Sequence, residues 1–175
     1  MSEYVLPEEF CRLFEQEMNS LFRLALLTTG KEQKAEEVFA AGLELCLNGG
    51  RVFREWAHRW ARRAVIKSAV QILHPATGQR KAGTSGHSVR SDVALDQSVV
   101  RVMELDPFER MVWIMSVLEQ YADGECAALL GCTREQVSLA RGLAFQQIAG
   151  LPEMRTGVAV LPPPPAKVTT VEIAS

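Results

Sequence analysis

The stretch DGECAALLGCTREQVSLARGLAFQQI, residues 123–148, decides the fold of the second half of this chain. Its pattern predicts a short helix, a tight turn and a second helix, the arrangement of a helix-turn-helix. Ala127 would be the small residue at the helix crossing, Gly131 the left-handed turn residue and Val137 the residue that fills the core. This stretch therefore points to nucleic-acid recognition rather than to catalysis.

The second helix of this stretch begins with a T-x-x-Q capping box and carries side chains that can read DNA. Arginine pairs with guanine, glutamine with adenine, and hydroxyl groups at a helix start bind phosphate. The candidate DNA-binding residues are Thr133, Arg134, Gln136, Ser138 and Arg141. An alternative is a helix-turn-helix that docks on protein, because the surrounding segment is acidic.

Apolar residues recur at helical spacing in three segments of the first half of the chain. The predicted helices cover residues 7–29, 31–47 and 51–73. Each places its apolar residues on one face: the first Phe10, Leu13, Phe14, Leu21 and Ala25; the second Ala35, Val38, Phe39, Leu43 and Cys46; the third Phe53, Trp56, Trp60 and Ala64. No segment shows the alternation of a strand, so we expect an all-α protein.

Two small helical bundles joined by a flexible linker account for this pattern. We predict a bundle at 7–73, a linker at 74–97, a helix-turn-helix domain at 98–150 and a disordered tail at 151–175. The linker is rich in Gly, Ser and Thr, and the tail contains four consecutive prolines. In the second bundle, Asp106 and Pro107 predict a helix start, followed by a core face of Met111, Ile114, Met115 and Leu118.

The composition is that of a soluble globular protein, with 47 % hydrophobic and 23 % charged residues. No apolar run approaches the ~20 residues that span a bilayer, and the acidic start lacks the order of a signal peptide, so we expect a cytoplasmic protein that does not bind membranes. The four cysteines have no metal-ligand spacing and suit packing. The three histidines form no catalytic pattern, so we expect no enzyme activity, no cofactor, no metal and no small-molecule substrate.

Charge is distributed unevenly along the chain. Residues 1–49 hold nine acidic and four basic residues, residues 50–73 six basic and one acidic, and residues 98–150 seven acidic and four basic. The middle segment could therefore follow a phosphate backbone, with an aromatic ring available to stack on an unpaired base. Its candidate DNA-binding residues are Arg51, Trp56, Arg59, Arg62, Arg63 and Lys67. Alternatively, the arginines form a solvated face; we expect Trp60 in the core, whereas the pattern leaves Trp56 undecided.

The order of bundle, linker and helix-turn-helix resembles the short bacterial RNA polymerase sigma factors of the extracytoplasmic-function type. LDPFERMVWIMSVLEQYADGECAALL, followed by the helix-turn-helix, is similar to region 4 of that family. LFRLALLTTGKEQKAEEVF, followed by FREWAHRWARRAV, is similar to region 2, which binds the polymerase clamp and melts promoter DNA. The resemblance implies core RNA polymerase and promoter DNA as partners, with an anti-sigma factor as a further one. It places the polymerase contacts at Glu36, Glu37, Ala40 and Leu43.

Our leading hypothesis is a sigma-factor-like initiation factor. A second hypothesis is an interaction protein, a decoy or adaptor that binds an anti-sigma factor or the polymerase without reading promoters. It is favoured because Ala40, Ala41, Gly42 and Leu43 stand where the family carries a Gln-acid-x-Phe cluster that contacts the clamp, and because the second helical unit is acidic. A dimeric helix-turn-helix repressor ranks third, since no additional dimerisation helix is evident.

Overall fold

The computed structural model of this chain describes residues 3–75 and 97–150, without the side chains of residues 97 and 98. Most of the predicted linker and the whole predicted tail lie outside the described residues. Within the described ranges the fold is all-α, as predicted. The only extended pairing there is a single antiparallel bridge between Tyr4 and Phe53.

Eight α-helices build the described part of the chain. They are α1 (Pro7–Gln16), α2 (Met18–Thr29), α3 (Glu32–Leu47), α4 (Ala57–Leu73), α5 (Gln97–Glu104), α6 (Pro107–Trp113), α7 (Asp123–Leu130) and α8 (Arg134–Ala149). A 3₁₀ turn at Arg54–Trp56 precedes α4, and a π-helical turn at Ile114–Leu118 continues α6.

The first predicted helix is two helices in the structure. Glu17, with φ −100° and ψ 15°, separates α1 from α2. The break lets both α1 and α2 pack on α3. The predicted core face is confirmed, since Phe10, Leu13, Phe14, Leu21 and Ala25 are all buried.

The third helix starts later than predicted, and this changes what its first aromatic residues do. Phe53 lies before the helix, where its ring stacks on Tyr4 with centroids 4.9 Å apart. Trp56 ends the 3₁₀ turn and is 59 % exposed, whereas Trp60 is half-buried against the core. The apolar face predicted for this segment therefore begins at Trp60 and continues with Ala64, whereas Trp56 lies on the surface.

The π-helical turn explains a second difference from the predicted core. Met111, Ile114 and Met115 are fully buried, but Leu118 is 49 % exposed. A π turn has more residues per turn than an α-helix and shifts the following side chains around the axis. Leu118 is thereby turned away from the face that an uninterrupted α-helix would give it.

The two helical units contact each other directly. Helices α5 and α6 pack on α2, and α7 packs on α4. The buried apolar side chains of both units form one continuous core. The predicted arrangement of two tethered bundles did not include this interface, and it determines which arginines are accessible.

Candidate nucleic-acid interface

The helix-turn-helix has the geometry that its sequence predicts. Gly131 ends α7 with a positive φ of 65°. The backbone N–H of Thr133 donates to Oε1 of Gln136 over 2.9 Å, and the backbone N–H of Gln136 donates to Oγ1 of Thr133 over 3.2 Å. Val137 is fully buried and Ala127 nearly so, as expected for the plug and the crossing residue. The predicted turn, capping box and core plug are therefore all present.

Three of the five candidate DNA-binding residues of α8 have structural partners within the unit. Thr133 and Gln136 hold each other in the capping box. Arg141 makes a bidentate ion pair with Asp123, in which Nη2 donates to Oδ2 over 3.1 Å. Hydrogen bonding to Arg141 lowers the pKa of Asp123, and the same bonds raise the pKa of Arg141. Reading a base with Arg141 would require breaking this pair.

The exposed surface of α8 holds two large apolar side chains and is poor in basic residues. Leu139 is 66 % exposed and Phe145 is 57 % exposed, and the ring of Phe145 packs edge-on against Trp113 at 4.9 Å. Arg134 and Ser138 are exposed on the same helix. One exposed arginine on this helix gives little attraction for phosphates, and the exposed large apolar side chains favour contact with protein.

Helix α4 presents a line of basic side chains, as its composition predicts. Arg59, Arg63 and Lys67 are exposed and four residues apart, so they share one side of the helix. Exposed Trp56 stands just before them. We call these four residues the basic track. Such a track can follow a phosphate chain while the indole stacks on an unpaired base.

The other two basic candidates of this segment lie beside the track. Arg51 is exposed, with its guanidinium carbon 5.7 Å from the centre of the Tyr4 ring. Arg62 is half-buried: its Nη1 donates to Oγ of Ser20 over 2.9 Å and its Nε donates to Oε2 of Glu119 over 3.0 Å. The hydrogen bonds to Glu119 raise the pKa of Arg62. Arg62 therefore joins the two units rather than extending the track.

Acidic residues of the second unit reach α4 at a place that the sequence analysis did not single out. Glu125 of α7 accepts a hydrogen bond from Nη1 of Arg63 over 3.3 Å. The guanidinium carbon of Arg63 also lies 5.5 Å from the centre of the Tyr121 ring. Burial raises the pKa of Tyr121, and bonds from the Ala122 backbone N–H and from Arg63 lower the pKa of Glu125. The opposite charges of segments 50–73 and 98–150 were the available signal for this contact.

The candidate polymerase contacts lie on α3. Glu36, Glu37 and Ala40 are exposed, and Leu43 is half-buried against the core. Gly42 is buried against α4, where an added Cβ would lie 3.0 Å from Cγ2 of Val65. Position 42 thus serves the close packing of α3 on α4, and a partner could touch only the acidic residues and Ala40 beside it.

The described residues contain no group of histidine, cysteine or acidic side chains that could hold a metal ion. Burial raises the pKa of Cys46 to about 12 and that of Cys126 to about 11, so both thiols stay protonated near neutral pH. No helix in the described ranges combines the length and the apolar character needed to cross a bilayer. The chemistry of the described surface therefore lies in its charged and exposed aromatic side chains.

No protein-family profile and no curated protein matches this chain. Among solved structures, the chain is similar to the sigma factor RpoE in its co-crystal structure with the anti-sigma factor NepR from Bartonella quintana. The identity is 15 % and the TM-score 0.46, over 82 % of this chain and 96 % of that chain. The surface chemistry of this chain itself therefore carries the functional assignment.

Proposed function

We propose that this chain is a sigma-factor-like transcription initiation factor that binds core RNA polymerase and promoter DNA. The observation that carries the proposal is the basic track on α4, where exposed Trp56 precedes Arg59, Arg63 and Lys67. Melted promoter DNA offers both phosphates and unstacked bases, the two groups that this track can bind. The resemblance of residues 7–73 to region 2, which melts promoter DNA in that family, supports the proposal.

The polymerase would be bound through α3. Its exposed residues Glu36, Glu37 and Ala40 lie on the unit that also carries the basic track. One docked bundle could thus hold the polymerase and present α4 to the melted strand. The role of α8 would be secondary, because three of its five candidate residues are engaged in the capping box or in the ion pair with Asp123. Only Arg134 and Ser138 are exposed and take part in neither.

Run-off transcription with purified core polymerase and a pool of genomic promoter fragments tests this proposal. Wild-type protein should give discrete transcripts, and the variant Arg59→Ala/Lys67→Ala should give far fewer. The matched control is Arg12→Ala/Lys31→Ala, which removes the same charge from exposed positions outside the track and should transcribe like wild type. Equal loss in both variants, or no transcripts from any protein, would refute the proposal.

A second candidate function is a sigma-like decoy or adaptor that binds an anti-sigma factor or a polymerase subunit without reading promoters. The specific observation in its favour lies on α8, where the large apolar side chains Leu139 and Phe145 are exposed. Complex formation with core polymerase without transcripts would support this candidate. Replacing Leu139 by Gln should then weaken the complex, whereas an initiator working through α4 would tolerate this change.

A further inference from the structure

The basic track is in contact with acidic residues of the second unit. Three side chains of the second unit contact arginines of α4. We call them the acidic latch after its two carboxylates: Glu119, Tyr121 and Glu125. Glu119 is held most firmly, because its side chain is only 8 % exposed and its carboxylate accepts hydrogen bonds from both Nε and Nη2 of Arg62. Glu125 pairs with Arg63, a member of the basic track.

The latch lies where a bound nucleic acid would have to pass. Arg63 is midway between Arg59 and Lys67, which are about 12 Å apart along the helix axis at 1.5 Å per residue. In the structure, the guanidinium of Arg63 contacts the carboxylate of Glu125 and the ring of Tyr121 on the side that faces α7. A phosphate chain that follows the whole track would therefore meet a negative charge at its centre.

The two ion pairs differ in strength, and this sets how firmly the latch is closed. The Arg63–Glu125 pair is open to solvent, with side chains 44 % and 46 % exposed, so alone it adds little. The Arg62–Glu119 pair is bidentate and its carboxylate is shielded, which makes it the stronger one. A phosphate can replace the carboxylate of Glu125 as the partner of Arg63.

We infer that the acidic latch is an autoinhibitory contact: it keeps Arg63, at the centre of the basic track, from anionic nucleic acid, and binding along α4 requires α7 to move away, which the Arg62–Glu119 pair opposes. This inference rests on the proposed binding function of α4. When only the open fraction of a protein binds, the apparent dissociation constant equals the intrinsic one divided by that fraction. Weakening the latch should therefore tighten binding without adding any new contact.

The first experiment measures binding of a fluorescein-labelled oligothymidylate by fluorescence anisotropy. The latch variant Glu119→Gln/Glu125→Gln should bind about five- to ten-fold more tightly than wild type, as the open fraction increases. Glutamine at position 125 keeps the ability to cap α7. The control Glu104→Gln/Glu135→Gln makes the same charge change at exposed positions of the second unit and should alter affinity less than about two-fold.

Equal tightening in both variants would show a net-charge effect and overturn the inference, and so would an unchanged affinity of the latch variant. If the affinity of the latch variant equals that of wild type while Arg59→Ala/Lys67→Ala lowers the affinity, the inference fails, but the proposed binding function of α4 stands. If neither wild type nor latch variant binds, both fail.

A second experiment uses wild-type protein alone and does not depend on how the variants fold. Hydrogen exchange of the α7 amides is measured with and without the oligothymidylate. Opening of the latch predicts faster exchange in Asp123–Leu130 when the oligonucleotide binds, because α7 loses its packing on α4. Exchange in α7 that slows or stays the same at saturating oligonucleotide would overturn the inference.

Discussion

Nη2 of Arg110 donates a hydrogen bond to the backbone carbonyl of Thr29 over 3.1 Å, which joins residues 81 positions apart in the chain. The same guanidinium donates to the carbonyls of Thr28, Met103 and Leu105. These acceptors lie at or just beyond the C-terminal ends of α2 and α5, where the helix dipoles are negative. Arg110 is 6 % exposed, so its hydrogen bonds, which we call the clasp, connect the two helical units in the buried interior.

Replacing Arg110 by Met should lower the free energy of unfolding by about 2–4 kcal/mol, because it leaves buried carbonyls without a donor. Burial lowers the pKa of Arg110, because its guanidinium lies in a poorly solvated place. Urea unfolding at neutral pH measures the change. The exposed control Arg12→Met should stay within about 0.5 kcal/mol of wild type. Similar losses in both variants would contradict the role of the clasp.

Gln120, two residues after the end of the π-helical turn, offers a test of local backbone strain. Gln120 is exposed and has a positive φ of 55°, a conformation that costs a residue with a Cβ atom about 1 kcal/mol. Gln120→Gly should therefore raise the thermal midpoint. Gln71→Gly, at an exposed position inside α4, should lower it, since glycine costs about 1 kcal/mol in a helix. A lower midpoint in both variants would argue against a strained turn.

Local signals in the sequence predicted local structure well. The Thr133–Gln136 capping box and Gly131 placed the helix-turn-helix correctly, because their chemistry acts within a few residues. The periodicity of segment 51–73 does not reveal that α4 begins at Ala57, so the pattern could not decide whether Trp56 is buried. The π-helical turn that exposes Leu118 left no recognisable pattern either.

The candidate site was predictable in its composition but not in its accessibility. The basic segment was evident from charge alone, and Arg59 and Lys67 are exposed as a binding surface requires. The partners of Arg62 and Arg63 are 57 and 62 positions away in the chain, and no spacing rule links them. Contacts between distant segments depend on how whole helices pack, which local periodicity does not encode.

The ion pair of Asp123 with Arg141 predicts a pH-dependent stability. The pKa of Asp123 is lowered in the folded state, so the pair stabilises the fold above the unfolded value of about 4 and stops doing so as the pH falls through the folded value. Asp123→Asn should cost at most about 1 kcal/mol at neutral pH, because both side chains are a third exposed, and less at pH 2.

Urea unfolding at the two pH values checks this expectation. In a double-mutant cycle, Asp123→Asn/Arg141→Gln should lose no more stability than either single variant. A loss that persists unchanged at acidic pH, or additive losses in the cycle, would show that the pair does not act as an ion pair.

Trp56 should contribute to nucleic-acid binding and hardly at all to stability. Its exposed ring can stack on a base, which is worth about 1–3 kcal/mol, so Trp56→Ala should weaken binding of an oligothymidylate by about ten-fold or more. Phe145→Ala removes an equally exposed ring from α8 and serves as the control, with affinity unchanged. Equal weakening by both changes, or none by Trp56→Ala, would remove Trp56 from the binding surface.

The salt dependence of oligothymidylate binding tests the central claim, that α4 binds the nucleic-acid backbone, most directly. Each phosphate contact on a single strand contributes about 0.7 to the slope of log affinity against log salt concentration, so Arg59→Ala/Lys67→Ala should reduce the slope by about 1.4 and weaken binding at every salt concentration. Arg12→Ala/Lys31→Ala should keep the wild-type slope. If both double variants keep the wild-type slope and affinity, the basic track does not bind the backbone and the proposed function is wrong.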